Sequence, residues 1–179
     1  FGEYNNYVAN VGGKIVVVPP NPPTFQPDLS ALRTLIGECT KAVIVNSPNN
    51  PSGVIYGEDT LKELGKILIE QSEKKGEAIY LISDEPYREL VYGQNFVPFL
   101  TKYYDNTIIG YSYSKSLSLP GERIGYLAIP DEAEDSENLI AACSVATRIL
   151  GFVNAPSLQQ LVIGRCIDQK TDVSAYDKN

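Results

Sequence analysis

Histidine, methionine and tryptophan are absent from this 179-residue sequence. Without histidine, Ser–His–Asp and Cys–His catalysis are excluded within these residues, and the commonest transition-metal ligand is missing. Acid–base chemistry is left to lysine, tyrosine, aspartate and glutamate. Cysteine is scarce: Cys39, Cys143 and Cys166 are odd in number and have no paired short spacing. They suggest neither a disulfide framework nor a zinc knuckle, and they fit a reducing, cytoplasmic setting. Long apolar runs are also lacking; stretches such as 14–20 and 42–45 fall far short of the roughly 20 residues a spanning helix needs. Fifteen Lys and Arg face 22 Asp and Glu, and the basic residues form no block. A net charge of −7 without a basic stripe argues against a nucleic-acid surface.

What remains is enough for one domain with its own core, without disulfide or metal support. The chain opens on Phe1 rather than methionine and closes on a polar run, 171–179, so it reads as a piece of a longer protein. Residues 1–8 form an amphipathic, helical opening closed by Gly12-Gly13. The β-branched run 14–18 predicts a strand ending at Pro19-Pro20, before a proline-rich loop. Asp28 caps a short helix carrying Leu29, Leu32, Leu35 and Ile36 on one face. Strands are predicted at 41–45, 78–82, 107–111 and 124–129, with a hairpin-like region at 92–95. Between the first two, 58–75 is helical, with acids in its first turn and Lys74-Lys75 before Gly76, as the helix dipole favours. Two helices close the chain, from Ser136 to about Leu150 and from Pro156 to about Ile167. This alternation predicts a three-layer αβα fold around a mostly parallel sheet.

Open sheets of this kind bind ligands beyond the carboxyl ends of their parallel strands. Three polar groups begin where predicted strands end: 46–53, 83–87 and 112–123. In the first, Asn50-Pro51-Ser52-Gly53 suits a plain turn, or a cis peptide that offers the Asn50 amide as a donor. In the second, Asp84 follows an apolar run, and a poorly solvated carboxylate needs a cation or a donor. Its partner is either a structural arginine or the protonated nitrogen of a ligand, and Tyr87 could aim its phenol at the same ligand. In the third, Lys115 and Arg123 are either solvated loop residues or an imine-forming nucleophile beside a bidentate phosphate clamp. The acidic run 131–137 precedes a helix, where acids are favoured by the dipole, and receives no chemistry.

The stretches Asn49-Asn50-Pro51-Ser52-Gly53, Ser83-Asp84-Glu85-Pro86-Tyr87 and Ser112-Tyr113-Ser114-Lys115-Ser116-Leu117-Ser118-Leu119-Pro120-Gly121-Glu122-Arg123-Ile124-Gly125 resemble, in order and spacing, the cofactor motifs of the class I/II aminotransferases. These are fold-type I pyridoxal-phosphate enzymes, and the chain most resembles their bacterial aspartate aminotransferase branch. The resemblance implies that Lys115 holds pyridoxal 5'-phosphate as a Schiff base and shuttles the substrate proton. It implies that Asp84 pairs with the pyridinium nitrogen, that Asn50 and Tyr87 bind the phenolic oxygen, and that Ser112 and Arg123 bind the phosphate. Pro86 is expected against one face of the ring, and Phe1 in the place of the family's stacking aromatic.

The same resemblance implies transamination between an amino acid and a 2-oxo acid, in a homodimer. Residues 1–179 would be the cofactor-binding part of the large domain, without the glycine-rich phosphate loop, the small domain or the substrate-carboxylate arginine. Such a piece is expected to turn over poorly by itself. Other chemistries share the same lysine and aspartate, including carbon–sulfur β-lyases and aminocyclopropane-carboxylate synthase. A regulator with an aminotransferase-like sensor domain would need a helix-turn-helix segment upstream.

Overall fold

The structure, a computed structural model, describes residues 2–93, 95–169, 172 and 174. Helix α1 (Glu3–Ala9) opens the chain. The run 14–18 is not the strand its β-branched residues predict: it carries no ladder, and Val17 is 76% exposed. β-Branching favours an extended backbone, but a strand also needs a neighbour to pair with. Only Val18 turns inward onto the core. The proline-rich loop is closed by the two-residue antiparallel pair β1 (Pro20–Asn21) and β2 (Gln26–Pro27). In α2 (Leu29–Leu35), the Asp28 carboxylate accepts from the Ala31 amide at 2.9 Å, the expected cap. Leu32 is buried and Leu29 and Ile36 pack beside it, whereas Leu35 is exposed.

The main sheet has the order β3–β4–β5–β6. β3 (Ala42–Asn46), β4 (Tyr80–Asp84) and β5 (Thr107–Ser112) are parallel neighbours. β6 (Gly125–Ala128) runs antiparallel to β5. Its direction follows from its connection, because the residues between the two strands form only the short helix α4 (Tyr113–Ser116) and a 3-10 turn (Pro120–Glu122). A parallel return would need a crossover the length of a helix. β4 begins later than the apolar run suggests; Ala78 and Ile79 are buried just before the ladder starts. The 92–95 region forms no strand among its described residues, and Gln94 lies outside them.

Helix α3 (Glu58–Lys75) supplies the largest share of the core of any single element and ends on Gly76 at φ 73°, a left-handed cap that glycine adopts without steric cost. Its Leu61, Leu64, Ile67 and Leu68 pack with Leu32 of α2 against Val45, Ile79 and Leu81, with Leu100 and Tyr104 completing the cluster. Gly65 is what lets α3 lie so close to the next segment, since a Cβ there would stand 2.4 Å from the Tyr103 carbonyl oxygen. Helices α5 (Ser136–Ile149) and α6 (Ser157–Cys166) follow β6, with Pro156 as the N-cap of α6. Strand–helix alternation around a mostly parallel sheet makes this the expected αβα architecture.

Candidate active site

Parallel pairing sets the carboxyl ends of three strands side by side. Asn46 lies opposite Asp84, and Asp84 opposite Gly110, two residues before Ser112. The three polar groups therefore share one end of the sheet, the crevice where open α/β folds place ligands.

The first group is organised by Asn46, which is buried. Its Oδ1 accepts the Asn50 amide at 2.8 Å, and its Nδ2 donates to the Asp84 carbonyl at 2.9 Å and lies 3.5 Å from Asp84 Oδ2. One side chain thus fixes the Asn50 loop to the end of β4. The Asn50–Pro51 peptide bond is cis, and Gly53 closes the loop at φ 71°. The Asn50 Nδ2 donates to the Tyr87 hydroxyl at 3.1 Å.

Asp84, half-buried, receives the Tyr4 phenol on Oδ2. Burial, and then the bond to Asp84, push the Tyr4 phenol well above its ordinary range, so it stays a donor at any neutral pH. The structural arginine allowed for by the sequence exists, but it goes elsewhere: Arg88 pairs with Glu85, whose carboxylate is 1% exposed. Among the described residues Asp84 has no cationic partner.

In the third group Ser112 caps α4, accepting the Ser114 amide at 3.2 Å and donating to the Ser114 hydroxyl at 2.7 Å. That cap sets Lys115 in the single turn of α4. Lys115 is exposed, with Nζ 5.7 Å from the centre of the Tyr87 ring, and its ammonium makes no ion pair among the described residues. Next to it, Tyr111 donates to the Ser116 hydroxyl at 2.6 Å and stacks on Tyr126 at 5.1 Å between centroids. Burial is the main reason the Tyr111 phenol is also pushed up. Gly125 allows this packing: a Cβ there would meet the Tyr111 carbonyl oxygen at 2.3 Å and Ser112 Cα at 3.2 Å.

Of the residues singled out in the sequence, Asn50, Asp84, Tyr87 and Lys115 come together. Arg123 does not join them directly. It is exposed at φ 52°, and its guanidinium donates to the Pro120 carbonyl of its own turn at 2.6 Å. Pro86 lies half-buried between Asp84 and Tyr87. Phe1 lies outside the described residues. Sequence reasoning missed Asn46 and Tyr4. Asn46 was legible as the first asparagine of the loop; Tyr4 carried no signal, being 80 residues from the aspartate it serves. The acidic run 131–137 forms the turns that lead into α5, where the Glu134 amide donates to Asn106 Oδ1 at 2.6 Å and its carbonyl accepts from Tyr80 at 2.9 Å. No group of three metal-ligating side chains occurs among the described residues.

Residues 1–178 match the family model described as aminotransferase class I and II. The probable aspartate/prephenate aminotransferase of Aquifex aeolicus (strain VF5) is 37% identical, over 72% of this chain and 32% of its own length. The aspartate aminotransferase of Bacillus subtilis (strain 168) is 35% identical, over 78% of this chain and 34% of its own. The crystal structure of an amino transferase from Eubacterium rectale superposes with a TM-score of 0.96 at 51% identity, covering 99% of this chain and 45% of that one. A tetra mutant of the Thermus thermophilus aspartate aminotransferase superposes at 0.82 with 27% identity, covering 99% and 46%. The chain spans 32% to 34% of the length of these curated relatives. With its strand-end motifs adjoining in space and a family match over nearly its full length, this chain belongs to the class I and II aminotransferases, and its fold is fold-type I.

Proposed function

We propose that the full-length protein is a pyridoxal-phosphate-dependent aminotransferase moving an amino group between an amino acid, aspartate or a related one, and a 2-oxo acid. Residues 1–179 are read as the cofactor-binding part of its large domain. One observation carries this: an unbroken run of contacts from Tyr4 through Asp84, Asn46, Asn50 and Tyr87 to Lys115. It joins side chains held at neighbouring strand ends into a single polar unit.

These residues fit pyridoxal 5'-phosphate. Among the described residues, a half-buried carboxylate without a cation suits a protonated ring nitrogen, an amide and a phenol 3.1 Å apart suit its phenolic oxygen, and a lysine whose side chain makes no ion pair suits, as the neutral amine, its aldehyde. When bound, the cofactor supplies a sink for the electron pair left as the substrate's α-C–H bond breaks. Asp84 keeps the ring nitrogen protonated, each pKa unit of support being worth about 1.4 kcal/mol. Tyr4 and Asn46 hold that carboxylate by donating to it, and Asn46 also ties the Asn50 loop to the same strand end. Asn50 Nδ2 and the Tyr87 hydroxyl would hold the cofactor's phenolic oxygen. Lys115 Nζ would be the covalent anchor and, once the substrate's amine has displaced it, the neutral amine that would take the substrate α-proton and hand it on two atoms along. Ser112 and Arg123 would hold the phosphate, the guanidinium exchanging the Pro120 carbonyl for it, while Pro86 and Phe1 are assigned to the ring faces. The reading includes a cytoplasmic homodimer, and sedimentation of the full-length protein tests the dimer.

The decisive experiment is the absorbance spectrum of the full-length protein with pyridoxal phosphate, before and after borohydride, beside Lys115→Ala. A yellow band that reduces to a cofactor mass fixed on Lys115 is expected, together with oxaloacetate formed from aspartate and 2-oxoglutarate. A wild-type protein without a Lys115 adduct overturns the cofactor site. An adduct without amino transfer overturns the reaction only.

A further inference from the structure

Pro86 and Tyr87 are held between Glu85 and Arg88, and these two outer residues are paired through the interior. Glu85 Oε1 accepts the Ser83 hydroxyl at 2.6 Å, and Oε2 accepts Arg88 Nε at 2.6 Å. The same guanidinium donates to the carbonyls of Val97 at 2.8 Å and Pro98 at 3.2 Å, and it lies 3.9 Å over the Phe99 ring. A planar fork with five donors can satisfy a carboxylate and two backbone carbonyls at once while its face lies on an aromatic ring. The Glu85 amide donates to the Gly110 carbonyl at 2.9 Å, so the arrangement is also anchored to the sheet.

Resting on the cofactor reading above, we infer that Glu85 and Arg88 are positioning residues for Tyr87, which the buried pair presents to Asn50 and Lys115. The pair joins the two ends of the Glu85–Arg88 turn, while the contacts to Val97, Pro98 and Phe99 fix that turn to the returning loop. Tyr87 is thereby left with little freedom before any ligand arrives, which is how preorganisation saves affinity. Neither residue hydrogen-bonds to or pairs with Asn50 or Lys115 itself; their effect passes through the phenol of Tyr87.

A double-mutant cycle on the full-length protein tests this, reading the dissociation constant of pyridoxal phosphate by absorbance. Arg88→Lys is expected to weaken cofactor binding about tenfold in the wild-type background and less than about twofold in Tyr87→Phe. Hydrogen exchange at amides 87–90 of the cofactor-free protein is expected to quicken in Arg88→Lys and to stay unchanged in Tyr87→Phe. Should Arg88→Lys not fold, Phe99→Leu removes only the ring beneath the guanidinium, and the same cycle applies to it. An equal loss in both backgrounds, or unchanged binding and exchange, overturns the positioning role and leaves the site reading intact. If Tyr87→Phe and Lys115→Ala both bind the cofactor as the wild type does, the site reading itself fails and the inference with it.

Discussion

Asp84 and Glu85 are adjacent carboxylates with opposite surroundings. Successive side chains of an extended chain leave on opposite faces, so the end of β4 sends one acid to the crevice and the other into the interior. Glu85 is almost wholly buried, and its charge is matched by Arg88 and the Ser83 hydroxyl. Asp84 is half-buried, and among the described residues its carboxylate meets only neutral donors, Tyr4 and Asn46. A buried charge without its partner is costly, which explains the arginine on one side. That none stands on the other side among the described residues is the feature that points to a cationic ligand.

Asp84→Asn sharpens the contrast most. It keeps an acceptor for Tyr4 but removes the charge, so transamination by the full-length protein should fall at least about 100-fold, as expected for two pKa units of lost support. Its thermal midpoint should barely move; an equal loss of stability would erase the distinction between the two faces. Glu85→Gln should do the reverse. Leaving Arg88 buried without its anion costs about 3 kcal/mol, measured by urea unfolding, while turnover at saturating cofactor stays within about tenfold.

Tyr4→Phe is smaller again, costing about 1.5 kcal/mol for one hydrogen bond to a charged group, or roughly tenfold in turnover. It also carries a pH signature. The Tyr4 phenol is raised in the folded state, so from about pH 10 upward the unfolded chain sheds this proton first. Folding stability is therefore complete below the unfolded value and declines as pH rises toward the folded one. Tyr4→Phe should flatten that alkaline decline in urea midpoints taken between pH 9 and 11, and an unchanged slope would remove Tyr4 from the network. The finest test is additivity. If the two faces act separately, the stability change of Asp84→Asn with Glu85→Gln should equal the sum of the single changes within about 0.5 kcal/mol.

Much of this contrast was legible in the chain. Acids at its start, leucines at helical spacing and a terminal glycine marked α3 to its last residue, because those signals are local and agree with one another. The asparagine–proline loop, Asp84 and Lys115 stood out as polar residues at the ends of apolar runs. The run 14–18 misled for the complementary reason: its residues prefer extension, yet a ladder depends on a neighbour that no short window reveals. α5 shows the same limit. It has helical periodicity like α3, yet none of its residues is buried, and Ile140, Val145 and Ile149 stand exposed among its described neighbours.

By itself the sequence determined the αβα class, the extent of α3, the three motifs and the family they resemble, since each rests on residue types and short spacings. Only the tertiary structure decided which partner each charge takes. Arg88 reaches Glu85 rather than Asp84, Tyr4 crosses 80 residues to the crevice, and Asn46 ties two strand ends together. Those choices follow from strand register and from which face a side chain leaves, and both arise only when distant segments pack.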